Sequence, residues 1–273
     1  MIIEIDDQPP TVDRHAVYNK SAKGKNRRRE YDRRTSGDKY LAKEFVAWDG
    51  EGGNEADGTH TYFLLANSDG ASASRREGLG TAEIFDMFLA ARQGVIHIGY
   101  GLGYDINMIL RDVDRETLER LYLTGKAKWY GYYMEWRGSK SFAVRFGDRR
   151  FLLYDVLPFF QRSFVSACDE YFGTANELWN DMRETVVREK ARRGTFDWDG
   201  LEGVAEYNGY ELALLVNLAD ELRQRLYRVG IKVTRWDGPG AIAAALYKKY
   251  ETKSFMGVLP DDVASAGRFA YAG

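Results

Sequence analysis

Asp49-Gly-Glu51 sets two carboxylates two residues apart, directly after the apolar run Phe45-Val-Ala-Trp48. In a strand, residues i and i+2 share a face. Both acids can therefore point into one site and offer neighbouring oxygen ligands to a hard cation such as Mg²⁺. Alone, the pair also reads as turn residues closing a strand. Two more acidic motifs follow. Tyr104-Asp105 comes after a short strand pattern and opens a helical one, which puts a carboxylate at a sheet edge, where sites form. The same Asp105 also reads as a residue that starts a helix. Tyr207-Asn-Gly-Tyr-Glu211 spaces a phenol and a carboxylate four residues apart on one helix face. That pair also reads as surface decoration.

Together the motifs describe a chemistry. Asp49, Glu51, Asp105 and Glu211 supply four carboxylates from two strands and two helices. Such a set can hold two divalent ions, Mg²⁺ or Mn²⁺, about 4 Å apart. One ion makes a water nucleophilic; the other stabilises the leaving 3′ oxygen of a phosphodiester. Tyr207, one turn from a ligand, can orient the attacking water by a hydrogen bond.

The elements that must position these residues follow from patterning. Phe45–Trp48 reads as a buried strand, with Thr61–Ala66 as its hairpin partner. Thr81 is placed to cap a helix to about Arg92, with Ile84, Phe85, Phe88 and Leu89 on one face. Val95–Ile98 is a strand, and helices follow over Tyr104–Leu110 and Arg115–Leu123. Lys128–Arg137 and Ser141–Phe146 read as an aromatic hairpin around Gly138-Ser139. Arg150–Val156 is a strand, Phe159–Phe172 a helix closed by Gly173, and Glu177–Lys190 a charged helix. The clearest helix is Leu201–Val229, striped by Leu212, Leu215, Leu218, Ala219, Leu222 and Leu226 and ended by Gly230. A last helix, Ala241–Tyr250, follows the Gly238-Pro-Gly240 turn. Strands alternating with helices predict an α/β layered domain with a mixed sheet.

The chain has 273 residues, 44% of them hydrophobic, enough for one large domain or one domain and an appendage. Its net charge of −2 is uneven. Between Thr11 and Thr35 nine Lys or Arg face three acids, so this segment is about +6 and the remainder about −8. The acidic remainder suits a carboxylate-lined metal site, and the basic segment suits a polyanion. Residues 1–42 read as a basic, flexible arm with a short strand at Ile2–Ile5; a solvated tail without function fits the same composition. The single cysteine, Cys168, excludes an internal disulfide or a cysteine-based zinc site. With no secretory signal and no membrane-spanning run, the expectation is a cytoplasmic protein.

The sequence resembles the 3′–5′ exonuclease domain of family B DNA polymerases, on the viral, plasmid and organellar branch that includes protein-primed and primer-independent enzymes. The family carries Asp-x-Glu, then Asn-x-x-(Phe/Tyr)-Asp, then Tyr-x-x-x-Asp. Asp49 and Glu51 match the first motif. Tyr104-Asp105 matches the second, with Gly101 at the usual Asn position. Tyr207 matches the third, with Glu211 in place of the usual Asp; a subgroup close to this chain is similar in writing Tyr-Asn-x-x-Glu. Asp105-Ile-Asn-Met-Ile-Leu110, Tyr154-Asp-Val-Leu-Pro-Phe-Phe-Gln161, Ser163-Phe-Val165 and Trp236-Asp-Gly-Pro-Gly-Ala-Ile-Ala243 also resemble family text, so the likeness runs from about Phe45 to Ala243. It implies a ribonuclease-H-like exonuclease fold over residues 43–232, with a mixed central sheet flanked by helices. Residues 233–273 resemble the start of the link to a polymerase domain. It further implies release of mononucleotides from single-stranded or frayed 3′ ends of DNA, and a phage or mobile-element source. The partner would be DNA, with a polymerase domain or subunit if the chain is a proofreading module and none if it is a free-standing relative. The alternative is a non-catalytic nucleic-acid-binding module of the same fold.

Weaker signals complete the reading. Tyr104, Gln161, Ser163 and Phe164 flank the motif strands and are candidates to grip a substrate end, although core packing explains Phe164 equally. Lys190, Arg192 and Arg193 are candidate phosphate contacts or a solvated helix end. His15, His60 and His97 lack metal-ligand spacing. Trp129-Tyr-Gly-Tyr-Tyr-Met-Glu-Trp136 can stack bases or simply pack on the sheet.

Overall fold

The computed structural model describes residues 39–173 and 176–250, and 262, 263 and 265 beyond them. Most of the basic arm, its expected strand at Ile2–Ile5 and most of the tail after Thr252 lie outside the described residues. Eight strands form one mixed sheet: β1 (Phe45–Asn54), β2 (His60–Asn67), β3 (Ser72–Ser74), β4 (Ile96–Gly99), β5 (Lys126–Trp129), β6 (Tyr132–Arg137), β7 (Ser141–Phe146) and β8 (Arg149–Asp155). Their spatial order is β3-β2-β1-β4-β8-β7-β6-β5. β1, β4 and β8 run parallel at the centre, and antiparallel strands extend both edges. The expected mixed α/β architecture is present.

Helices cover both faces. The helices are α1 (Lys39–Ala42), α2 (Thr81–Ala90), α3 (Gly103–Ile109), α4 (Arg115–Thr124), α5 (Leu157–Phe160), α6 (Phe164–Phe172), α7 (Glu177–Arg192), α8 (Leu201–Arg228) and α9 (Pro239–Lys249). The alternation of β1 decides which face each residue serves. Phe45 and Ala47 join the core formed with α6, α7 and α8. Val46 and Trp48 join the core formed with α2, α3 and α4. Asp49 and Glu51 continue the odd positions, so they face α8, and the strand bulges only after Glu51. α8 lies between the sheet and the outer helices α6 and α7. That location explains why it buries polar residues, Asn208, Glu211, Asn217, Asp220 and Arg223, beside its leucines.

Local chemistry shifts several expected boundaries. The helix expected over Phe159–Phe172 is two helices. Gln161 adopts a left-handed conformation, φ 52°, that ends α5, and Ser163 then caps α6 by accepting from the Ser166 amide at 3.3 Å. The expected long strand Lys128–Arg137 is broken by Tyr130-Gly131, both at positive φ, into the hairpin β5–β6. Thr81 is not a cap. It is the first residue of α2, its hydroxyl donates to the Ile109 carbonyl at 2.7 Å, and its amide donates to Asp112 Oδ2 at 2.8 Å. Order also begins earlier than expected: α1 docks through Tyr40, whose hydroxyl accepts the Val233 amide at 3.2 Å. Trp236 is buried against Phe45 and Phe159, so the chain beyond residue 232 packs on the same core.

Candidate metal centre

The site opens at the carboxyl ends of the parallel strands, where α/β sheets place ligands. β1 brings Asp49 and Glu51, the β4–α3 junction brings Asp105, and α8 brings Glu211. All four line one cavity of about 600 Å³. Asp49, Glu51 and Glu211 each offer a carboxylate oxygen within 4.8 Å of the others, a donor set suited to a hard divalent cation. Asp105 is outside that trio. Its Oδ1 accepts a hydrogen bond from the Tyr62 hydroxyl at 3.0 Å, although its charge still reaches Asp49.

Burial makes three of these carboxylates, Asp49, Glu51 and Asp105, costly to ionise. Asp49 is pushed well above the usual carboxylate range by burial, then by the charges of Glu211 and Asp105. Glu51 is raised well above it too, by burial and by Asp49, against the pull of Arg193. Burial lifts Asp105 to about 6, with the Tyr62 hydrogen bond and Arg193 opposing. A divalent cation would remove this mutual repulsion.

Hydrogen bonding carries a second sign of an incomplete site. Five buried side-chain polar atoms have no hydrogen-bond partner among the described residues, and three of them belong to Glu51, Tyr207 and Asn208. Folded proteins rarely leave such atoms unpaired away from a site. Glu51 Oε1 has only Arg193 Nη2, 3.6 Å away and beyond hydrogen-bond reach.

The expected site residues divide into three groups. Tyr104, Ser163, Phe164, Lys190 and Arg193 line the acidic cavity. Lys190 and Arg193 make ion pairs with Glu211, and Arg193 Nη2 lies 2.6 Å from Glu211 Oε2. Tyr207 shares a helix face with Glu211 but does not line the cavity. Its ring is buried against Phe196, with the Arg193 guanidinium 5.8 Å from the ring centre. Burial and the charge of Glu211 raise its phenol, so it stays protonated. Gln161 is exposed, does not line the cavity, and serves to end α5.

Several contributors have roles that motif spacing does not assign, although Asn208 and Asp155 stand inside the family-like stretches. Asn208, next to Tyr207, donates from Nδ2 to Asp49 Oδ2 at 3.1 Å and fixes that carboxylate. His60 lines the cavity and pairs through Nε2 with the Tyr104 hydroxyl at 2.6 Å. Asp155 accepts amide hydrogen bonds from Gly101, Leu102 and Leu157 at 2.9–3.0 Å, which clamps two loops of the cavity. Gly101 has φ +74°, a left-handed conformation that glycine adopts freely and Asn tolerates best among other residues. Comparison with protein-family models, curated proteins and solved structures returned no match.

Proposed function

We propose that this protein is a metal-dependent 3′–5′ exonuclease that hydrolyses single-stranded or frayed DNA ends to mononucleotides. Its sheet and helices would then be a ribonuclease-H-like arrangement. In this reading the chain is the proofreading module of a phage or mobile-element family B polymerase, or a free-standing relative. The observation that carries the proposal is the convergence of Asp49, Glu51 and Glu211 within 4.8 Å, with Asp105 in the same cavity.

Asp49, Glu51 and Glu211 are the residues to hold Mg²⁺ or Mn²⁺, with Asp105 as the fourth carboxylate of a two-ion set. Such ions, when bound, lower the pKa of a coordinated water and stabilise charge on a leaving 3′ oxygen. The chain's own groups do the rest. Asn208 holds Asp49 in one rotamer, and Tyr62 does the same for Asp105. Lys190 and Arg193 can move their contacts from Glu211 to a scissile phosphate. Tyr104 and Phe164 offer aromatic walls to a terminal base.

A second reading has a specific observation behind it. Lys190 and Arg193 already pair with Glu211, as they would in a nucleic-acid-binding module without catalysis. Digestion of 3′-labelled and 5′-labelled single-stranded oligonucleotides with Mg²⁺, Mn²⁺ or EDTA separates the two. Stepwise loss from the 3′ end in either metal, abolished by EDTA, is expected. Binding without hydrolysis would favour the module, and internal cuts in circular DNA would exclude an exonuclease.

A further inference from the structure

A second cavity, of about 540 Å³, is lined by the opposite charge. Lys140, Lys232, Arg235 and Lys248 surround it, with Asp237 as the acid that pairs with Arg235. Lys140 and Lys248 make no ion pair among the described residues. One side of the cavity is small and apolar, formed by Ala241, Ala244 and Ala245 of α9. Four cations around one recess is notable in a chain whose net charge is −2.

The recess is built into the fold next to the acidic cavity. Leu157 lines the acidic cavity and its neighbour Pro158 lines the basic one, so α5 is the wall between them. The Asp155 amide donates to the Lys140 carbonyl at 2.9 Å, and the Asp155 side chain clamps the Gly101-Leu102 turn of the acidic site. Gly238, at φ +116°, brings the start of α9 against Pro158, where a Cβ would lie 3.1 Å from the proline ring.

We infer that the basic recess is a nucleotide-phosphate site: the cations take the phosphate and the alanine face takes the sugar or base. This deepens the exonuclease reading and rests on it for the identity of the ligand. A strand with its 3′ end among the carboxylates would lay an upstream phosphate in the recess; a free nucleotide would use the same contacts.

The test uses the full chain in EDTA, so that no hydrolysis occurs. Binding of fluorescein-labelled dT12 is followed by anisotropy against salt, for wild type and for Lys140→Gln/Lys248→Gln. Each phosphate contact on a single strand contributes about 0.7 to the salt slope, so the double variant should lose about 1.4. Thermal shifts with thymidine monophosphate and with inorganic phosphate form the second arm. A lower salt slope assigns the strand, and a mononucleotide shift lost in the variant assigns the free nucleotide. Both exposed substitutions should leave the melting temperature unchanged, which guards against misfolding. Equal slopes and equal shifts in wild type and variant would overturn the inference. Failure of the exonuclease reading is separate: it shows as intact dT12 in Mg²⁺ and Mn²⁺, whatever the slopes.

Discussion

A Cβ on Gly50 would lie 1.8 Å from the hydroxyl oxygen of Tyr62, the group that holds Asp105. The glycine between Asp49 and Glu51 is therefore the space through which one tyrosine braces a third carboxylate. Gly50→Ala should push Tyr62 away and destabilise the protein by roughly 2 kcal/mol, the usual cost of overpacking. Tyr62→Phe removes the clash partner's hydroxyl and the hydrogen bond that lowers the Asp105 pKa. It should raise the Asp105 titration above about 6 while leaving the fold intact. Melting curves and a carboxyl titration by NMR check both outcomes.

Asp105 gives a pH signature of its own. Its carboxyl lies at about 6 in the folded chain against 3.8 in an unfolded one. The folded state thus binds more protons between those values, and stability falls as pH rises through that window. The difference amounts to roughly 3 kcal/mol at neutral pH. Without metal, Asp105→Asn should melt higher than wild type above pH 6 and no higher below pH 4. The same variant, or Asp49→Ala, should abolish hydrolysis. Retained activity in both would remove the metal centre.

His97 works in the opposite direction. Its Nδ1 accepts the Trp48 indole hydrogen at 3.0 Å, and its Nε2 faces the Arg92 carbonyl at 3.0 Å, so the neutral ring fits. Burial lowers its pKa from 6.5 to about 4. The unfolded state binds the extra proton in that window, so this contribution is full above pH 6.5 and is lost as pH falls towards 4. NMR should find His97 titrating near 4; a midpoint near 6.5 would contradict the buried pairing.

Asn208→Ala should leave Asp49 free to rotate. Loss of a residue that orients a metal ligand costs about 10–100-fold in metal affinity or activity. Because its partner is Asp49 and not the core, the melting temperature without metal should change little. Isothermal titration with Mn²⁺ reads the affinity, and an unchanged constant would relegate Asn208 to packing.

Tyr207 and Glu211 can be separated in the same way. The Tyr207 hydroxyl is buried beside Glu211 without a hydrogen bond of standard geometry, so Tyr207→Phe should change the melting temperature little. If the hydroxyl positions water once substrate and metal are bound, the rate falls about 10–100-fold. An unchanged rate makes it a core residue. Glu211→Gln should be inactive, because the site needs the charge. Glu211→Asp should impair catalysis if the backbone is set for the longer side chain, and raise it otherwise.

The sequence exposed the site better than its surroundings. Period-two patterning after the apolar run Phe45–Trp48 placed Asp49 and Glu51 on one strand face, and spacing of four placed Glu211 on one helix face with Tyr207. The mixed sheet followed from the order of strands and helices. Asn208 stands in the Tyr-Asn-x-x-Glu motif, but its role stayed hidden because it depends on the crossing of α8 over β1, which no local pattern encodes. Tyr62 and His60 were hidden for the same reason, since their partners Asp105 and Tyr104 are more than forty residues away in sequence. The break at Gln161 was missed because apolar periodicity continues across it, while a single left-handed residue ends the helix. Two further buried acids stay out of the trio because they have partners of their own: Asp155 accepts from three amides and Asp220 pairs with Arg223.

The ion pairs from Lys190 and Arg193 to Glu211 bear on how the protein matures. Four carboxylates gathered without counter-charge would oppose their own assembly. Here two cations from within the chain meet one of the four acids, Glu211, and Arg193 also lies 3.6 Å from Glu51. Folding and loading then become separate events, unlike a zinc finger, whose chain collapses only around its ion. On the proposed reading, protein treated with EDTA should keep the melting transition of the folded chain, and added Mn²⁺ should restore hydrolysis without a refolding step.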